Sequence, residues 1–353
     1  MKWVKGELLN EIDAIGVDPT RQLDRTTQLN MFNRRAWFAR VWAYLPRVAI
    51  SPIIARATSE GAIAWLFLVH ESSGRARSLT NWYSFSFNVV YKGAPDLVQK
   101  RAMITALAKR LGAAKPRLTH ITLSPVNRDD GSVALLESAF SQARWKPFTT
   151  QVSTRWTATV KGLSFEQYWD ARPSQLRNTF RRKRNKTVYD CEIFDYFNEV
   201  AWTEYEAVYN DSWKLSEGSP EFVRDTAEHE GEAGCLRLGI CRIDGLAVAA
   251  QCWTVENGTA NIHKLAHRES AKSASPGTIL SHALFKRVID IDQVSVIDFG
   301  TGDDPYKADW MDKSEPLDQI VFYNMRTVSG RCHAAIQSAK CWARRWFKRK
   351  NHT

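Results

Sequence analysis

Apolar and polar positions alternate in period along the chain, and the changes of period mark its elements. A spacing near 3.6 residues links Leu29, Phe32, Ala36, Trp37, Val41 and Tyr44 and predicts a helix over 26–45, ended by Pro46. Short β-rich runs at 53–58, 62–69 and 76–80 predict strands, separated by Ser59-Glu60-Gly61 and Ser72-Ser73-Gly74 turns. Helices over 96–111 and 133–142 alternate with strands at 118–123 and 152–160; Gly112 is a natural C-terminal stop for the first of these helices. Residues 1–25 are polar and are expected to be poorly ordered.

The second half has sharper punctuation. Helices are predicted at 165–169, 174–186, 201–215 and 220–233, the last opened by Ser219-Pro220 as N-cap and first helical residue. A strand at 192–197 precedes three more at 236–243, 246–255 and 259–266. Asp244-Gly245 and Asn257-Gly258 join these three, both strong hairpin turns. The turn Ala274-Ser275-Pro276-Gly277-Thr278 opens a helix to about Ile291, followed by a strand at 295–299, a short helix at 304–311 and a strand at 319–325. From Val328 the pattern is helical and increasingly basic. The expected class is α/β, with a mixed sheet, in four segments: 1–25, 26–160, 161–327 and a basic tail at 328–353.

Composition is that of a globular protein, at 44% hydrophobic and 25% charged residues. Fourteen Trp is a high count, best explained by core filling, with an open aromatic groove as the alternative. The net charge of +11 is concentrated. Seven Arg or Lys fall between Ala171 and Tyr189 and eight after Asp318, both stretches without an acid, so the remainder is mildly acidic. That distribution argues against a general nucleic-acid sheath. The six cysteines lack C-x-x-C or zinc-ligand spacing, so no metal is expected. The N-terminus lacks a signal-peptide core and no long apolar run exists, which makes the cytoplasm the expected compartment. The tail 340–350 interleaves Trp and Phe with cations, a composition suited either to a solvated basic helix or to peripheral contact with an anionic membrane.

There is no P-loop, no G-x-G-x-x-G after a strand and no G-x-S-x-G elbow. The suggestive feature is Ser275-Pro276-Gly277-Thr278, which aims a helix N-terminus at whatever lies before it, a setting suited to phosphate. Asp298 ends a strand. Asp303 and Asp304 are adjacent carboxylates that can raise each other's pKa, although one is expected to cap the next helix. Asp303 is the preferred base, and Tyr306 could protonate a leaving thiolate. His263 and Lys264 point to opposite faces of one strand. Lys264, on an apolar face, demands an anionic partner, phosphate or carboxylate, and ranks above His263 for ligand contact.

Several separated motifs resemble the CelD-type branch of the GNAT acetyltransferases, a relative of the FemAB aminoacyltransferases. They are Tyr209-x-x-Ser212-Trp213-Lys214-x-x-Glu217, Ala249-Ala250-Gln251, His263-Lys264-Leu265-Ala266, Ser275-Pro276-Gly277-Thr278-Ile279-Leu280 and the run from Ile297 through Lys307 to Trp310. The resemblance covers 120–150 residues and implies tandem GNAT-like domains of the acyl-CoA N-acyltransferase fold, the first degenerate. It further implies transfer of an acetyl or similar acyl group from acyl-CoA to an amine or hydroxyl, on an acceptor such as a polysaccharide or cell-envelope precursor. Ser275, Gly277, Thr278 and Lys264 would hold acetyl-CoA; Asp303, Tyr306 and Asp298 would serve chemistry; Trp213, Lys214, Lys307 and Trp310 would meet substrate. One departure stands out: the glycine-rich phosphate loop of many GNAT enzymes is replaced by Arg268–Gly277. Aminoacyl transfer from tRNA, with phosphates bound by 177–186, and a non-catalytic scaffold in polysaccharide assembly are the alternatives.

Overall fold

The computed structural model describes residues 3–12, 23–46, 51–71 and 74–350, the side chains of 344–350 excepted. Residues 72–73 of the expected turn lie outside the described residues. In chain order the first elements are β1 (Val4–Leu9), α1 (Arg35–Ala43), β2 (Ser51–Ser59), β3 (Ala62–Glu71), β4 (Arg75–Ser78), β5 (Val90–Lys92), α2 (Leu97–Gly112), β6 (His120–Asn127), α3 (Ser132–Gln142) and β7 (Trp145–Thr159). There follow α4 (Phe165–Asp170), α5 (Ser174–Arg184), β8 (Asp190–Phe194), α6 (Glu199–Asn210), α7 (Pro220–Glu232), β9 (Leu236–Ile243), β10 (Leu246–Glu256), β11 (Thr259–His267), α8 (Pro276–Lys286), β12 (Val296–Thr301), β13 (Lys313–Asn324) and α9 (Val328–Lys350). The chain forms two compact units, Met1–Ser153 with Glu315–Thr353, and Thr154–Ser314.

In the first unit the strand order is β1-β2-β3-β4-β6-β13-β7, with β5 also on β3. Phe38 stacks on Phe67 at 3.9 Å and Phe140 on Phe322 at 4.1 Å, so both sheet faces carry buried aromatics. The amino-terminal segment corrects one expectation. Val4–Leu9 is a strand paired along Leu9↔Ile54 to Val4↔Ser59. Only Gly6 in it is buried, so backbone hydrogen bonding to a sheet edge, rather than an apolar pattern, holds it. The predicted helix at 26–45 shrinks to Arg35–Ala43. Asp24 accepts from Thr26 and Thr27, and Asn30 accepts from Phe32 N–H at 2.9 Å. These local acceptors build turns where a helix would otherwise begin.

The second unit has the order β7-β12-β11-β10-β9-β8, with Thr154–Thr159 supplying its part of β7. β9, β10 and β11 form the two hairpins expected from Asp-Gly and Asn-Gly, with Asp244 and Asn257 both at φ 50°. β11 and β12 are parallel but paired only over Thr259–Asn261 and Val296–Asp298. α8 packs on β9 and β10, where Gly239 admits Leu280 and Leu284: a Cβ there would lie 2.9–3.0 Å from their methyls. Trp253, Phe285, Tyr168 and Trp310 fill the core, with Phe285 stacked on Trp310 at 4.7 Å. Trp310, expected at substrate, is thus a core residue, 5% exposed. The helix expected at 304–311 is a 3₁₀ turn over Pro305–Asp309.

In each unit one strand follows an element of the other unit in sequence. β13 comes after the second unit's final turn yet pairs antiparallel with β6 of the first, Leu317↔Asn127 to Tyr323↔His120. β7 comes after α3 of the first, and its end pairs with β12 of the second, Val296↔Thr159 to Thr301↔Arg155.

Candidate active site

After Asn261 and Asp298 the strands β11 and β12 no longer pair, which opens a fork between His263–His267 and Phe299–Thr301. Three segments supply polar side chains to it. The first is the loop after α6. Ser212 Oγ donates to Tyr209 O at 2.7 Å and accepts Lys214 N–H at 3.3 Å, a tight turn that presents Trp213 and Lys214. Asp211 is ion-paired with Arg268, whose Nε donates to Ala247 O at 2.7 Å, and Glu269 N–H reaches Asp211 O at 3.2 Å. The loop is therefore latched to the connection between β11 and α8.

From β11, Lys264 meets Glu217 of this loop. Its Nζ lies 3.0 Å from Oε1 and 2.7 Å from Oε2, and 5.4 Å over the Tyr209 ring. Both side chains are about nine-tenths buried, at 8% and 11% exposure. The anion that a buried lysine demands is thus supplied by the chain itself, not left for phosphate. Burial, with the Glu217 charge and hydrogen bond, pushes Tyr209 up to about 12. His263 donates to or accepts from Thr254 Oγ1 at 2.8 Å, and burial beside Lys264 holds its imidazole down to about 4.

The third segment follows β12. Asp298 is buried and fully engaged: Oδ2 takes Arg155 Nε at 2.8 Å and Nη2 at 2.7 Å, and Oδ1 accepts Gly300 N–H at 2.9 Å. This arrangement holds the strand end, with both carboxylate oxygens engaged by the chain itself. Gly300 (φ 66°) and Gly302 (φ 125°) then turn the chain around Lys307, whose Nζ donates to Thr301 O at 2.6 Å and lies 3.9 Å from Asp304. A Cβ on Gly302 would come within 3.1 Å of that ammonium. Lys307 is 4% exposed, and burial depresses its pKa against the opposing pull of Asp304, Asp298 and Asp303. Asp304 stands at the N-cap of the 3₁₀ turn without a side-chain cap bond, and Asp303 is exposed. Tyr306 lies edge-on to Phe299 at 5.7 Å, its hydroxyl pKa raised by burial and Asp304.

Lys214 stands between the second and third groups. Its ammonium is 6.0 Å from the Tyr209 ring and 5.8 Å from the Trp213 ring. Burial, then the charges of Lys264 and Lys307, push it down to about 8, against Asp304 and Glu217. Lys264 belongs to one arm of the fork, Lys307 and Asp304 follow the other, and Glu217 shares the loop, so charges from both arms meet at Lys214.

The start of α8 forms the remaining wall. Ser275 is in the left-handed region (φ 56°) and its side chain makes no cap bond; its carbonyl takes both Thr278 N–H at 3.1 Å and Ile279 N–H at 3.3 Å. Pro276 has no N–H. Gly277 N–H is therefore the remaining first-turn donor without a protein acceptor among the described residues. Beside it, His267 lies 3.3 Å from where a Gly277 Cβ would stand, and Trp213 tilts over His267 at 4.3 Å.

Thr154–Asp304 carries both arms of this fork, and residues 154–308 match the family model of the acetyltransferase (GNAT) domain. The match spans nearly the whole of the second unit. The whole chain is similar in fold to solved structures across both units. A tandem GNAT protein from the clavulanic acid pathway aligns over 90% of this chain and 98% of its own, at 13% identity and TM-score 0.51. FemX aligns over 76% and 87%, at 12% identity and TM-score 0.54. The C-terminal domain of a putative lysylphosphatidylglycerol synthetase from Agrobacterium fabrum aligns over 78% and 84%, at 11% identity and TM-score 0.50. No curated protein matches the chain. The architecture is thus tandem GNAT-like, of the acyl-CoA N-acyltransferase fold, as the motifs implied.

Of the expected site residues, Ser275, Gly277, Thr278, Lys214, Trp213, Lys264 and Lys307 line or adjoin the fork within the GNAT domain. Asp298 is tied up in structure and Trp310 in the core. Glu217 and Tyr209 join the site beyond the expected residues; the sequence signal for Glu217 is its place in the quoted motif and the carboxylate that Lys264 requires. Outside this site, Glu230, Cys235 and Glu256 are the compact group of potential metal ligands among the described residues, at the opposite end of the β10–β11 hairpin from Lys264.

Proposed function

We propose that this chain transfers an acyl group from acyl-CoA, acetyl-CoA in the simplest case, to an amine or hydroxyl of a polysaccharide or cell-envelope precursor in the cytoplasm, where acyl-CoA is made and used. The convergence of both fork arms on Lys214 carries the reading. In this account the donor's thioester lies between β11 and β12, and its pyrophosphate meets the start of α8 at Ser275, Gly277 and Thr278.

The acceptor nitrogen or oxygen attacks the thioester carbon, its proton passing to the neutral amine of Lys214, a group whose pKa near 8 leaves part of it unprotonated at working pH. The C–S bond breaks, and the departing CoA thiolate takes the proton from the Lys214 ammonium; Tyr306, its hydroxyl pKa raised, is the poorer donor. Lys307, fixed on Thr301 O, supplies positive charge near the developing oxyanion. Lys264 and Glu217 hold the α6 loop that carries Lys214. The sequence favoured Asp303 as base; its exposure, beside the half-buried Lys214, makes it the weaker choice for a proton transfer sheltered from water.

A second reading keeps the fold and exchanges the donor for aminoacyl-tRNA. One observation favours it: a surface cavity of about 580 Å³ along α5, lined by Gln175, Asn178, Thr179, Arg181, Arg182 and Asn185, is suited to phosphate. Thermal-shift titration with acetyl-CoA, CoA and charged tRNA separates the two. The true donor stabilises in proportion to the logarithm of its concentration, by about 2.7 kcal/mol at a hundred times Kd. A shift with charged tRNA and none with any CoA species would overturn the acyl-CoA reading.

A further inference from the structure

The last helix has two faces that do not belong to the GNAT chemistry. Along α9, Gly330 and Ala334 are buried and Gln337, Ser338 and Cys341 half-buried, with Ser338 Oγ accepting Lys146 Nζ at 3.0 Å. This row, recurring every three or four residues, is the face turned to its own unit. Cys332, Ala335, Ile336, Ala339 and Trp342 recur at the same interval and are all exposed, Ile336 at 54% and Trp342 at 69%. A helix whose inner face holds Gly330, Ala334, Gln337, Ser338 and Cys341 while Ile and Trp face outward is patterned for an apolar partner on its outer face.

Charge says which partner. Arg331 and Lys340 flank the stripe, the sequence adds a cluster of Arg and Lys over 344–350, and no acid occurs after Asp318. A protein groove that accepted this helix would need to be both apolar and strongly acidic, whereas an anionic lipid surface offers the two together. Trp is at home at that boundary, with its ring in the acyl margin and its N–H among headgroups. No helix of the described residues is long and apolar enough to cross a bilayer, so the contact is with a surface.

We propose that α9 is an interfacial helix that seats Ile336 and Trp342 in an anionic lipid leaflet, with Arg331 and Lys340 on its headgroups. The contact would hold the acyltransferase against lipid-borne acceptors, yet the proposal stands on α9 alone and is independent of the donor.

Co-sedimentation of the full chain with vesicles of phosphatidylcholine, with and without phosphatidylglycerol, tests it. Pelleting is expected with phosphatidylglycerol, little without it, and loss at high salt. I336E and W342E, both at exposed positions, should each weaken binding on the order of tenfold, and K340E about fivefold, while their melting temperatures stay at the wild-type value. Equal pelleting with neutral vesicles, or undiminished binding by the I336E/W342E double variant, would overturn the proposal. So would a stable dimer in the absence of vesicles that W342E converts to a monomer, which would assign the stripe to a second copy. Preferential capture of duplex RNA, competing with vesicles and indifferent to W342E, would likewise count against it.

Discussion

Lys264 on β11 and Glu217 in the loop after α6 form a two-contact ion pair, at 2.7 and 3.0 Å, with little access to water. The pair ties the loop carrying Trp213 and Lys214 to one arm of the fork. Removing one partner leaves the other buried and uncompensated, a loss of about 3–5 kcal/mol. E217A should therefore unfold at markedly lower urea than wild type, and the K264M/E217L double variant should recover much of the loss. A single variant within about 0.5 kcal/mol of wild type would show that water already satisfies both groups.

Lys214 gives the pH dependence. Its pKa in the folded chain, about 8, lies below the 10.5 of the unfolded chain. Between those values the unfolded state binds more protons, so this group's contribution to stability increases as pH rises through that window. Its unprotonated fraction rises over the same limb, and kcat/KM should climb through about pH 8. K214M should abolish that limb and lower kcat by at least about a hundredfold; a K214M enzyme with the wild-type profile would remove Lys214 from the chemistry.

The two aspartates singled out in the sequence should separate cleanly. D298A breaks the buried contact with Arg155 and the Gly300 N–H bond, and should cost about 3 kcal/mol in chemical unfolding. D303N, at an exposed position, should change stability by less than about 0.5 kcal/mol and leave turnover near wild type. Lost turnover in a fully folded D303N would return the base to Asp303.

Much of this was legible in the residues. The two hairpins were announced by Asp244-Gly245 and Asn257-Gly258, because a two-residue turn of that kind imposes its own geometry. The GNAT domain was legible in motifs that spread over both arms of the fork. β1 was not, since its stability comes from backbone pairing with β2 and an edge strand needs no apolar alternation. The start of α1 was hidden because Asp24 and Asn30 compete locally for the N–H groups a helix would use. Trp310 carried no mark separating a core aromatic from a ligand platform; only its stacking on Phe285 and its tilted contact with Trp169 decide that. The exchange of β7 and β13 was beyond any local signal, because strand order in a sheet is set by long-range pairing.

Acyl-CoA is proposed to bind at the fork with its pyrophosphate at the start of α8. Calorimetric titration of acetyl-CoA into wild type and G277V tests it most directly. A Cβ at 277 meets only His267 within 4 Å among the described residues, so a valine there crowds His267 and the adjacent N–H of the helix turn. Saturable one-to-one binding to wild type, lost in G277V at an unchanged apo melting temperature, is the predicted result. Absence of binding to folded wild type, or equal affinity in G277V, would contradict it.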